Sequence, residues 1–77
     1  MMDEDAVFAF GSALAAIAGL LEEKGVCTAT EISQSLGHAA LVHLKAGEQY
    51  KPRAHYLRAW AVSVKAAADG MSAPQHH

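Results

Sequence analysis

Between Ala6 and Leu21 the sequence AVFAFGSALAAIAGLL contains no charged residue, and this stretch limits what the chain can become. Acids stand before it at Asp3, Glu4 and Asp5, where they suit the N-terminus of a helix, and Asp3 can serve as the cap. Gly25 supplies the stop, so the spacing predicts a helix over residues 4–24. Val7, Phe10, Leu14, Ile17 and Leu21 recur at heptad spacing and form the expected core seam. The opposite side holds Phe8, Gly11, Ser12, Ala15, Ala18 and Gly19 rather than the lysines and glutamates of a wetted face. Gly11, Ala15 and Gly19 are four apart, a spacing that lets a second backbone come close. The helix is therefore apolar all round, and one face needs cover from outside the chain.

A chain of 77 residues can make one domain, and it buries only ~60% of the surface its unfolded form exposes. Cys27 is the only cysteine, so no disulfide staples the chain internally, and its presence fits a reducing, cytoplasmic compartment. The acidic start is unlike a secretory signal. Sixteen uncharged residues also fall short of the ~20 of a membrane span, so no membrane is expected.

Two more helical regions follow, without the alternation of a strand. Thr28 and Glu31 form a capping box. Gly37 is read as an interruption, leaving one bent helix or two short ones before Gly47, with Ile32, Leu36, Leu41 and Leu44 inward. The last helix is expected from Pro52 to Asp69, burying Leu57, Trp60, Ala61, Val64 and Ala68. The fold class is all-α: a bundle of three to four helices over residues 1–70, homodimeric through the first helix, with a disordered tail at 71–77.

Charge divides the chain. Residues 1–31 hold six acids and one base, and residues 32–77 hold five bases and two acids. The halves thus carry −5 and +3, and can pair within the fold, between copies, or with an anionic partner. Lys51, His55, Arg58 and Lys65 share one face of the last helix, a stripe interrupted by Val62.

Chemistry-bearing patterns are few. Cys27 lies near a helix N-terminus, where a thiol can be activated, but it reads more simply as a small apolar residue. His38 and His43 are five apart, not the four of a helical metal pair. No paired carboxylates or glycine-rich phosphate loop occur, so neither catalysis nor a cofactor or metal is expected. TATEISQSLGHAALVHLKAG has a helix-turn-helix outline. Its second helix would present His38, Ala39, Val42 and His43, without the Arg, Asn, Gln or Lys that read bases. Nucleic-acid binding as a dimer is therefore the alternative and not the favoured reading.

Gly25, Thr28, Glu31, Tyr56 and Trp60, in EEKGVCTATEI and HYLRAWAVSVKAA, carry a resemblance to the helical N-terminal region of nitrile hydratase β-type subunits. That resemblance covers two thirds of the chain and implies an accessory role beside a metalloenzyme subunit. The reading of the residues themselves is a helical interaction module that self-associates through Phe8, Gly11, Ser12, Ala15 and Gly19. Lys51, His55, Arg58 and Lys65 would face an anionic partner, and a larger protein could replace the second copy.

Overall fold

The computed structural model describes residues 3–72. Three helices make up almost all of this: α1 (Glu4–Glu23), α2 (Ala29–Ala46) and α3 (Lys51–Ser72), with a 3-10 turn at Glu48–Tyr50 leading into α3. Residues 73–77 of the expected tail lie outside the described part.

The helix ends follow local chemistry. The Asp3 carboxylate accepts from the Ala6 N–H at 2.7 Å. Gly25 takes φ +74° and ends α1. At α2 the Thr28 hydroxyl accepts from the Glu31 N–H at 3.0 Å, and the Glu31 carboxylate accepts from the Thr28 N–H at 2.8 Å. These bonds from Thr28 hold the Glu31 carboxyl below its ordinary value. Gly47, at φ +143°, ends α2.

Two expectations about continuity are corrected. α2 runs through Gly37 without a break, so the helix-turn-helix outline is one continuous helix. A lone glycine costs a helix only ~1 kcal/mol, and the capping box at one end and Gly47 at the other bound a helix of 18 residues. α3 likewise continues through Gly70 to Ser72.

α3 is the central element. α1 runs parallel to it: the Trp60 Nε1–H donates to the Val7 carbonyl at 3.2 Å, and Gly11 lies against Ser63. α2 runs antiparallel to α3, with the Ser33 hydroxyl donating to the Ala61 carbonyl at 2.8 Å, and residues of all three helices share one core cluster. α1 and α2 touch each other much less than either touches α3. They meet near their connection, where the Glu22 carboxylate accepts from the Ala29 N–H at 2.8 Å.

The core is made of small residues. Ala18, Ala29, Ala40, Ala54, Ala61 and Ala68 are buried, and Val64 is the largest side chain fully buried among the described residues. Leu14, Ile32 and Leu36 pack partly buried against Ala18, Ala29, Val64 and Ala68. Alanine contacts draw helix axes together but remove little apolar area from water, and stabilisation scales with that area at ~25 cal/mol per Å².

The expected inward face of α1 is rotated. Gly11 and Ala18 are buried and Ala15 is half-buried, whereas Phe10 and Ile17 of the seam are exposed. The cause is steric. A Cβ on Gly11 would stand 2.7 Å from the Ser63 Oγ and 3.1 Å from its Cβ, so α3 approaches as closely as a bare backbone allows. At Gly11 the small-residue stripe does admit a close helix, and that helix is the chain's own α3. Leu41 and Leu44, expected in the core, are also exposed.

Candidate interaction surface

The bulk missing from the interior stands outside it. Phe8 is 66% exposed, Val62 67% and Leu41 53%, with Leu44 also in solvent. Val62 adjoins Phe8 on one side and Leu41 and Leu44 on the other. Val7, Phe8, Ala59, Val62 and Ser63 line a groove between α1 and α3. Gly37, Ala40, Leu41, Leu44, Arg58, Ala61 and Val62 line a second groove between α2 and α3. Val62 belongs to both, so the grooves open on the same side of α3 with Val62 as the ridge between them.

This surface gathers residues from both sequence-predicted sets. From the self-association set, Phe8 lies on it, and Ser12, Ala15 and Gly19 follow Phe8 along the same face of α1 by helical spacing. Ser12 is exposed, and Ala15 and Gly19 are half-buried. Gly11 is not on it, being occupied by α3. From the anionic-partner set, Arg58 lines the second groove, while Lys51, His55 and Lys65 are exposed along the same face of α3. Two of those charges are already answered locally: Lys51 lies 3.8 Å from Glu48 and Lys65 2.5 Å from Asp69. Among the described residues Arg58 makes no ion pair.

Sequence reasoning placed Leu41 and Leu44 in the core, and placed Val62 in the basic stripe without assigning it to an interface. Val62 did leave a signal, since it breaks an otherwise basic stripe. Leu41 and Leu44 left none, because nothing in the sequence shows that alanines occupy the core instead.

The back of the molecule is aromatic. Trp60 packs between Phe10, at 4.6 Å between ring centroids, and Tyr56, stacked at 5.9 Å. Trp60 and Tyr56 are half-buried, so they serve chiefly to fasten α1 onto α3. Among the described residues no buried side-chain polar atom lacks a partner, and Cys27 is half-buried beside the start of α2.

The other face of α1 is apolar too, with Ile17 and Leu20 exposed. Contrary to the expectation from the uncharged stretch alone, α1 is by length and composition sufficient to cross a membrane, with mean hydropathy 1.5 over its most apolar 18 residues. The difference lies in counting: the helix includes its charged ends and reaches 20 residues. The core helix of a soluble protein passes the same test while mostly buried, whereas only 11% of this segment of α1 is buried. The residues that resemble nitrile hydratase β-type subunits are helix ends (Gly25, Thr28, Glu31) and the Tyr56–Trp60 stack. No protein-family model, no curated protein and no solved structure matches this chain.

Proposed function

We propose that the protein is a small, non-catalytic association module that acts as a homodimer in the cytoplasm. The surface around Val62 is its interface. One observation carries the reading: Val62 stands exposed between a groove holding Phe8 and a groove holding Leu41 and Leu44, around an interior built mainly of alanine. Contiguous apolar surface of this kind marks an interaction site, and a two-fold dimer is the commonest way to cover it. Ridge and grooves give each copy both a knob and a hole, as a self-complementary interface requires. The interface differs from the one the sequence suggested, because Gly11 is spent inside the protomer.

Light scattering coupled to size exclusion, on the wild type and on Val62→Asp, tests it. The expected result is a dimer at low micromolar concentration and a folded monomer for the variant. A wild-type monomer overturns homodimerisation and leaves a larger protein as the occupant. A Val62→Asp protein that stays dimeric overturns the interface.

A further inference from the structure

We infer that α1 is a membrane anchor. In contact with a lipid bilayer it leaves α3 and spans the hydrocarbon, with Asp3 outside and α2 and α3 on the cytoplasmic side. This goes beyond the association reading and does not rest on it, because Val62, Leu41 and Leu44 stay on α2 and α3. In water α1 is poorly covered. Only 11% of its most apolar 18 residues is buried, and Ala9, Ala13, Ala16, Ile17 and Leu20 are exposed. A protein partner covers one side of a helix, whereas lipid covers every side, and α1 is apolar on every side. The length also fits. Its 20 residues rise ~30 Å, the thickness of the hydrocarbon core. Glu4 and Asp5 then fall at one headgroup level and Glu22 and Glu23 at the other, with no charge between them.

Charge selects both the occupant and the direction. All six lysines and arginines follow α1 in the chain. Basic residues are kept on the cytoplasmic side of a span, while acids count little toward its orientation. The split of −5 and +3 between the halves is otherwise unused by the fold: among the described residues both ion pairs, Lys51–Glu48 and Lys65–Asp69, lie inside the basic half. A second copy of α1 is a poorer occupant of the exposed side. Acids stand at both ends of the helix, so parallel and antiparallel pairing each set acid on acid. Departure from α3 strands few polar groups. The Val7 carbonyl that accepts from Trp60 still accepts within its own helix. The bond from the Ala29 N–H to Glu22 lies at the connection and stays with it. Among the described residues no ion pair joins α1 to α2 or α3.

Fractionation of the full chain expressed in bacterial cells tests the anchor. The wild type should float with membranes on a density gradient and resist extraction by alkaline carbonate. Ala13→Lys sets a charge at the middle of the span, on a side chain that is exposed in the folded protein. It should keep its helical circular dichroism and lower the ratio of membrane-held to soluble protein about a hundredfold. Val62→Asp should float like the wild type, so that anchor and dimer interface fail separately. Orientation is read with an impermeant maleimide. Cys27, just beyond α1, should be labelled in inside-out vesicles and not in spheroplasts. Asp3→Cys in a Cys27→Ser background should show the reverse. A wild type that stays in the soluble fraction overturns the anchor and leaves the association reading standing. Release by carbonate, or equal flotation of Ala13→Lys, overturns the span. Labelling of Cys27 in spheroplasts overturns the orientation.

Discussion

Gly11 and Gly37 are both helical glycines, and they should respond oppositely to alanine. Nothing lies within 4 Å of a Cβ built on Gly37, so Gly37→Ala gains helix propensity and should stabilise by about 0.5–1 kcal/mol. At Gly11 the same gain meets Ser63, whose Cβ would stand 3.1 Å away. The hydroxyl can rotate aside, but the Cβ moves only with α3. Gly11→Ala should therefore destabilise by about 1 kcal/mol net, overpacking costing about 1–3 kcal/mol. Urea unfolding of the two variants beside the wild type gives the signs directly. Glu31 adds a pH term. Its carboxyl is held below the ordinary 4.5 by the bonds from Thr28. Its contribution is thus fully present above that value and is lost as pH falls through the lowered folded value. Glu31→Gln keeps a capping partner without a titrating group. It should show a shallower acid limb in a pH series of thermal melts.

At the scale of elements, what could be read in advance was what local chemistry decides. Asp3, Gly25, Thr28, Glu31 and Gly47 act within one turn of themselves, and the structure has helix ends at each. Which side of α1 faces inward is a different kind of property. By side-chain size the inward face is Val7–Leu21. The structure splits that seam, because burying Gly11 and Ala18 against α3 lets two backbones approach, while Phe10 reaches round the edge to Trp60. That choice depends on Ser63, a small residue more than fifty positions away in the sequence, which no periodicity in α1 records. The overreading of Gly37 has a simpler origin: a glycine with open space around it looks in sequence like one that ends a helix. Trp60 ties α1 down through the Val7 carbonyl. Trp60→Phe keeps an aromatic ring beside Phe10 but drops the hydrogen bond. It should cost about 1 kcal/mol, measurable by chemical unfolding followed by circular dichroism.

For the whole molecule, the sequence carried the conclusion that some apolar surface must remain after folding, because the first helix is apolar on every side. It did not carry the place. That required knowing that alanines fill the interior and that Leu41, Leu44 and Val62 are left over. The molecule should behave accordingly in solution. Dilution should lower both its weight-average mass and its melting temperature, since association stabilises by mass action. Sedimentation velocity across a dilution series checks the mass, and thermal melts at the same concentrations check the melting temperature.

The parallel docking of α1 on α3 also has a consequence in time. The Val7 carbonyl meets its indole partner 53 residues further along the chain. At a synthesis rate of about 5–20 residues per second, α1 is made roughly 3–10 seconds before the helix that receives it. During that interval the antiparallel pairing of α2 with α3 is also incomplete, and the nascent chain presents a helix charged only at its ends to whatever surrounds the ribosome. Its alanines and glycines, which give the finished protein so slight an interior, make the waiting helix less adhesive than one of leucine and phenylalanine would be.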